Sequence, residues 1–317
     1  MLASAFCEVQ VQTNKNRQPL SGMMITIREK EADSLVTKSN LPFCDYVINP
    51  YVGCPHACRY YYASFMKRFT GHTGEWGSFT DVKVCKKRID ASKLDGKAVF
   101  LSSVTDPYNP VERERLSTRK VLEQICEANC RIYVSTKSPL VTRDIDLLKR
   151  CRDVVVAVSL NTLDDGFRRD MDRAGSVGKR LEALRELHDS GIHTVLFVSP
   201  WFPGLTDFRA LIDATREFAD EYWFENLNLR GDYKARILSY IDERHPELSE
   251  LYDRIYNRKD ETFWAEKERE FGEYCGREGI RYVNAFHHSK LVSEKKRTGE
   301  LVRRDRASSP AAPPPLG

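Results

Sequence analysis

The stretch Cys54-Pro55-His56-Ala57-Cys58-Arg59-Tyr60-Tyr61 sets two cysteines four positions apart and a tyrosine three positions further on. In the pattern C-x3-C-x2-C, three thiolates can hold three irons of a [4Fe–4S] cluster and leave the fourth iron open to a ligand. Thiolate is the usual protein ligand for such clusters because it is soft. Cys54 and Cys58 are therefore metal-ligand candidates, and Tyr61 stands at the third-ligand position. A phenol ionises only near pH ~10, offers a hard oxygen and is bulkier than a thiol. The loop thus points both to a redox cofactor and to a fault in its binding site.

Other cysteines are poor substitutes. Cys44 precedes Cys54 by ten residues across a predicted strand, on the order of 25 Å at ~3.3 Å per residue. Cys85 follows a long loop and is the open candidate. Cys126, Cys130, Cys151 and Cys275 read as buried structural thiols. His56, between the two cysteines, reads as a hydrogen-bonding loop residue.

These residues need a frame. Short β-branched or aromatic runs bounded by Pro, Gly, Asp or Asn predict strands at Tyr46–Asn49, Ala98–Ser102, Arg131–Ser135, Val154–Ser159, Thr194–Ser199 and Tyr222–Asn226, with a further one at Arg281–Ala285. Helical patterns at Thr118–Ala128, Thr142–Arg150, Lys179–Asp189 and Asp207–Ala219 alternate with them. Gly191 suits a helix C-terminus, and Thr206-Asp207 is a capping signal. Strands alternating with helices imply a parallel sheet with right-handed crossovers. The predicted fold is α/β, a partial (β/α)6 TIM-like barrel with parallel strands and a C-terminal helical extension. In such a barrel chemistry sits at the C-terminal strand ends, and polar loops fall there.

Asp260–Glu278 reads as a long amphipathic helix burying Phe263, Trp264, Phe271 and Tyr274. The chain divides into a polar N-terminal lead-in (1–36) with a short strand at Met24–Ile27, a core with C-terminal helices (37–292), and a disordered basic, Pro-rich tail (293–317).

Composition sets further bounds. The 317 residues are 41% hydrophobic and carry a formal charge of +4. The last 25 residues hold six Lys/Arg and three Asp/Glu, +3, which leaves +1 for the remainder. Net charge therefore gives no indication of a nucleic-acid groove. No apolar run approaches the ~20 residues of a membrane span. Nine cysteines without a secretory signal favour reduced thiols and a cytoplasmic location.

With Cys54-x3-Cys58-x2-Tyr61 after a first strand, the segments INPYVGCPHACRYYYASFMKRFTGH, FLSSVTDPYNPVE, STKSPLVTRDIDLLKR, VAVSLNTLDDGFRRDMDRA, SPWFPGLTDF and WFENLNLRG resemble the radical S-adenosylmethionine (SAM) superfamily. Within it they are similar to the spore-photoproduct-lyase-like branch, and more narrowly to radical SAM mobile-pair protein B. The resemblance covers roughly residues 37–290. It implies a [4Fe–4S] cluster and SAM as cofactors, and reductive cleavage of SAM to a 5′-deoxyadenosyl radical that abstracts hydrogen from a substrate the sequence does not identify. It implies an electron donor such as a flavodoxin or ferredoxin, and a paired radical SAM protein as a partner. By the same resemblance Tyr60 packs near the adenine, and Ser102, Ser103, Thr105 and Asp106 face the methionine end of SAM. Ser159 and Asn161 lie toward the ribose, Arg173 and Arg180 toward the SAM carboxylate, and Pro203 and Gly204 at the adenine turn. Glu225, Asn226, Asn228 and Arg230 face the substrate side. No catalytic residue is assigned. Tyr61 departs from the pattern, and the hydrogen-donor cysteine of the photoproduct lyases has no counterpart in Ser102–Asp106, which disfavours thymine-dimer repair. The alternative is a degenerate radical SAM fold without a competent cluster, acting as a binding or partner protein.

Overall fold

The computed structural model describes residues 17–20, 23–61, 67–286, 288–298 and 301. Twelve strands lie among them: β1 (Arg17–Leu20), β2 (Met23–Glu31), β3 (Val36–Lys38), β4 (Tyr46–Ile48), β5 (Tyr51–Val52), β6 (Phe79–Val84), β7 (Ala98–Leu101), β8 (Arg131–Thr136), β9 (Asp153–Ser159), β10 (His193–Trp201), β11 (Glu221–Asn226) and β12 (Tyr282–Asn284). The α-helices are α1 (Glu112–Arg115), α2 (Ser117–Ile125), α3 (Ile145–Leu148), α4 (Asp165–Met171), α5 (Val177–Asp189), α6 (Phe208–Thr215), α7 (Gly231–Arg244), α8 (Ser249–Tyr256), α9 (Thr262–Glu278) and α10 (His288–Thr298).

The main sheet runs β12-β11-β10-β9-β8-β7-β4-β3. Every pairing in it is parallel except the β3–β4 hairpin. This is the predicted partial barrel, with β12 as a seventh parallel strand. Its strands are apolar on both faces, as a sheet covered on both sides requires. Val99, Leu101, Ile132, Val134, Val156, Val158, Leu196 and Val198 point outward into the core shared with the helices. Their neighbours Phe100, Tyr133, Val155, Ala157, Val195 and Trp223 form a separate inner cluster with Cys44 and Val47. Phe43, Phe100, Tyr133, Phe197 and Trp223 meet edge-on or tilted there, with centroids 5.3–6.1 Å apart. They fill the barrel's lower end.

The helices start and stop where the local chemistry directs. Ser176 caps α5 by accepting from Lys179 N, and Asp207 caps α6 by accepting from Arg209 N and Ala210 N. Helix α9 buries Phe263, Trp264, Phe271 and Tyr274 as its pattern predicts, and Cys275 with them.

Two regions depart from the sequence reading. Part of the N-terminal lead-in is a strand pair. β1 and β2 join β6 and β5 in a second sheet of order β1-β2-β6-β5. Ile25 and Ile27 are buried on one face of β2 while Met24 is exposed, a two-residue period that the charged run Arg28–Glu31 hides in the sequence. The chain from 293 onward also begins as helix. In α10 the Lys295 ammonium donates to the carbonyls of Ser39, Leu41 and Cys44 at 2.6–3.1 Å. That satisfies all three of its protons and ties the helix to the β3–β4 hairpin. Residues 1–16 and 302–317, the ends of the predicted lead-in and tail, lie outside the described residues. No helix among the described residues is long and apolar enough to cross a membrane.

Candidate functional site

The barrel's inner face changes character along its length. The two-residue period that buries Phe100, Tyr133, Ala157, Phe197 and Trp223 continues at the C-terminal strand ends to Ser135, Ser159, Ser199 and Glu225, with Ser102 immediately after β7. An aromatic floor thus gives way to serine hydroxyls and one carboxylate. Ser199 Oγ donates to Glu225 Oε2 at 2.5 Å. Ser102 adopts a left-handed backbone with φ 63°, and its buried hydroxyl has no hydrogen-bond partner among the described residues. Buried polar atoms are normally paired, and the exceptions call for an explanation. An unpaired hydroxyl at the mouth of a barrel suits a polar ligand.

The loop carrying Cys54 and Cys58 follows β5 and is clamped by the second sheet. A Cβ on Gly53 (φ 85°) would lie 2.5 Å from Phe79 O, and one on Gly77 (φ 100°) 2.5 Å from Ala57 Cβ. Both positions therefore need glycine. Across the loop, Thr105 Oγ1 donates to Gly53 O at 2.9 Å. Arg59 N donates to Met171 O at 2.9 Å, and Arg173 N to His56 O at 2.8 Å.

Two buried ion pairs sit against this loop. Asp106 Oδ1 accepts from Thr136 Oγ1 and Tyr108 N, and its Oδ2 from Lys137 N, all at 2.7–2.8 Å. His56 Nδ1 approaches Oδ2 to 3.3 Å, without the alignment of a hydrogen bond. Burial alone would raise the Asp106 carboxyl, but His56, Lys137 N–H and Thr136 outweigh it and hold it at about 2. Burial opposes a charge on His56, yet Cys54 and Asp106 together raise it to about 10. The second pair joins Arg180 to Asp172, both wholly buried. Tyr60 hydroxyl donates to Asp172 Oδ2 at 3.3 Å, and its ring packs edge-on against Phe202. Burial, then Cys58 and Asp172, push the Tyr60 phenol well above its usual range. Burial and Asp172 likewise push the Cys58 thiol up, so without a metal Cys58 holds its proton.

The remaining expected site residues fall around the same rim. Ser103 N donates to Asn49 Oδ1. Asn161 Nδ2 donates to Pro200 O, and its carbonyl accepts from Thr206 Oγ1. Pro203 is buried, and Gly204 (φ 75°) abuts Leu248. Asn226 ends β11 opposite Trp201. Asn228 and Arg230 are exposed and hydrogen-bond each other ahead of α7. Arg173 is exposed, whereas Arg180 is committed to Asp172. Sequence reasoning named Asp106 and Arg180 but not their partners. His56 and Asp106 are far apart in the chain, and no spacing rule links Asp172 to Arg180 across the start of α5.

The third-ligand position is occupied differently. Tyr61 is half-buried, its N–H donates to Cys58 O, and its ring lies 5.9 Å from that of Trp76. Trp76 in turn packs edge-on against Phe79. Cys85 is directed toward Asp33 O and Lys87 O in a different cavity, beside α2, and Cys44 lies in the barrel floor. Among the described residues no group of three or more His, Cys, Asp or Glu side chains is placed to hold a metal ion. The described residues therefore do not complete a three-thiolate site for a [4Fe–4S] cluster.

The sequence pattern of the Radical SAM superfamily matches residues 48–214, from β4 through α6. This chain belongs to the radical SAM superfamily. A relative within reach of this radical SAM chain is the uncharacterized protein MJ0683 of Methanocaldococcus jannaschii, 33% identical over 228 residues, which are 72% of this chain and 86% of that protein. A radical SAM Nalpha-GlyT isomerase of Pseudomonas phage M6 is 27% identical over 260 residues, covering 77% of this chain and 48% of the phage protein. Spore photoproduct lyase complexed with dinucleoside spore photoproduct shares the fold with TM-score 0.52 at 17% identity, over 70% of this chain and 66% of the lyase. The superfamily works with a [4Fe–4S] cluster and SAM. In this radical SAM barrel the strand ends carry Ser135, Ser159, Ser199 and Glu225, and the described cluster loop carries two cysteines, Cys54 and Cys58.

Proposed function

We propose that this chain is a SAM-binding protein on a radical SAM barrel, descended from enzymes that cleave SAM reductively, and that with Tyr61 in its loop it binds SAM without cleaving it. The observation that carries this reading is the contrast at the barrel mouth. Ser102, Ser159, Ser199 and Glu225 keep the polar wall, while the Tyr61 ring rests on Trp76 and leaves Cys54 and Cys58 as a pair. In this reading the residues act by binding. The rim from Ser102 to Thr105 takes the methionine end, Ser159 and Asn161 the ribose, and the turn at Pro203-Gly204 the adenine. Glu225 closes the far wall. The electron donor and the paired radical SAM protein belong to a form with a complete cluster.

Calorimetric titration of the purified chain with SAM tests this reading, together with chromatographic assay for 5′-deoxyadenosine under a strong reductant. Saturable SAM binding without 5′-deoxyadenosine is expected. Absence of binding by folded protein would overturn the intact pocket, and sustained 5′-deoxyadenosine release would overturn the loss of cleavage.

A further inference from the structure

Outside the barrel lumen, a cleft of about 650 Å3 opens between the cluster loop, the C-terminal end of α4 and one face of α7. Four exposed arginines line it: Arg59 from the loop, Arg173 after α4, Arg236 on α7, and Arg169 on α4. The backbone bonds Arg59 N–Met171 O and Arg173 N–His56 O fix the first two side by side. Arg236 stands one turn before Tyr240 on the same face of α7, and the Arg59 guanidinium lies 5.8 Å from the Tyr240 ring. Tyr240 is held by its hydroxyl, which donates to Asp170 Oδ2 at 2.9 Å.

The lining charges of this cleft balance formally, four arginines against four carboxylates, but they are not all paired with one another. Asp172 is neutralised by Arg180, and Arg169 by Asp165. Among the described residues no ion pair joins Arg59, Arg173 or Arg236 to a carboxylate. Guanidiniums without a carboxylate partner, brought to one cleft by three elements, match an oxyanion that accepts several hydrogen bonds, and phosphate suits their planar fork best. Three further carboxylates line the same cleft: Asp170, which accepts from Tyr240, and Glu75 and Glu243. They would repel a continuous polyanion and accept from hydroxyl or amino groups. Trp76 and Tyr240 supply aromatic surface.

We propose that this cleft binds a phosphomonoester of nucleotide size, its phosphate on Arg59, Arg173 and Arg236 and its hydroxyl or amino donors toward Glu75 and Glu243. This rests on and deepens the proposed function, because the cleft borders Cys58 and so would hold a phosphorylated ligand beside the site ascribed to SAM. It does not depend on cluster binding.

The test is calorimetric titration of the full chain with a nucleoside 5′-monophosphate and, separately, with SAM. The double variant Arg59→Ala/Arg236→Ala should weaken the monophosphate about tenfold or more, two charge-assisted contacts being lost. It should leave SAM affinity within about twofold. The control Arg216→Ala, on an arginine paired with Asp213 and Glu278 away from the cleft, should leave both unchanged. No monophosphate binding at millimolar concentration would overturn the inference, as would equal binding by the double variant. A parallel loss of SAM affinity would assign the arginines to SAM instead. A ten-nucleotide single strand bound more tightly than the monophosphate through the same arginines would place the phosphate in a polynucleotide backbone and overturn the monoester assignment. If the parent binds the monophosphate in this arginine-dependent way but not SAM, the inference stands and the proposed function fails.

Discussion

The cluster loop and the inner wall face the same barrel mouth and depend on the sequence in different ways. The wall is written by strand alternation. Once β8, β9, β10 and β11 pair in register, Ser135, Ser159, Ser199 and Glu225 follow onto the lumen above the aromatic floor, and moving one of them would disturb a buried strand. The loop's chemistry instead rests on single side chains outside the sheets. There Tyr61 stands at the third-ligand position with its ring 5.9 Å from that of Trp76. On the function proposed above, a binding wall outlasts the coordination site beside it.

The largest expected effect breaks the support the two regions share. Asp172→Ala leaves Arg180 buried and unpaired and frees Tyr60, so stability should fall by about 3–5 kcal/mol, read by urea unfolding. A loss below about 1 kcal/mol would mean that loop and wall are supported separately.

A smaller effect sharpens the account of the wall. Ser199→Ala removes the hydroxyl that donates to Glu225 Oε2. Stability should fall by about 1 kcal/mol, the net worth of a typical hydrogen bond. SAM affinity should fall with it if Glu225 must be held in place. Unchanged SAM affinity would place Glu225 outside the SAM site.

The smallest effect concerns the segment that receives the loop. Arg168 and the Val177 N–H hold the Asp165 carboxyl down at about 2. A carboxyl depressed in the folded state stabilises above its ordinary pKa near ~3.9 and loses that contribution as pH falls toward 2. Because Asp165 is about one-third exposed, solvent screening limits the effect to less than about 1 kcal/mol. Stability of the parent should therefore drop more steeply between pH 4 and 2 than that of Asp165→Asn. Parallel curves would contradict the assignment.

Much of this frame was legible in the sequence. The barrel strands announced themselves as β-branched runs between turn residues. Asp207 and Gly191 marked helix ends because capping is local chemistry. The second sheet was not legible, since β2 ends in Arg28-Glu29-Lys30-Glu31 and its partner β6 lies beyond a long loop. α10 was hidden by the basic composition of its segment, because only tertiary contact shows that Lys295 meets three carbonyls. At the site, the residue types were readable but the pairings His56–Asp106 and Asp172–Arg180 were not. Each joins groups whose proximity depends on how the rim loops fold over the strand ends.

The account's central claim is that Tyr61 alone separates an intact SAM wall from a working cluster site. Anaerobic reconstitution of the parent and of Tyr61→Cys with iron and sulfide, followed by iron counting, tests it most directly. Tyr61→Cys should hold close to four irons per chain, roughly as a three-thiolate [4Fe–4S] site allows, and the parent clearly fewer, with SAM affinity of the metal-free proteins alike. Equal iron in the two proteins would contradict the claim and point to a third ligand supplied from elsewhere.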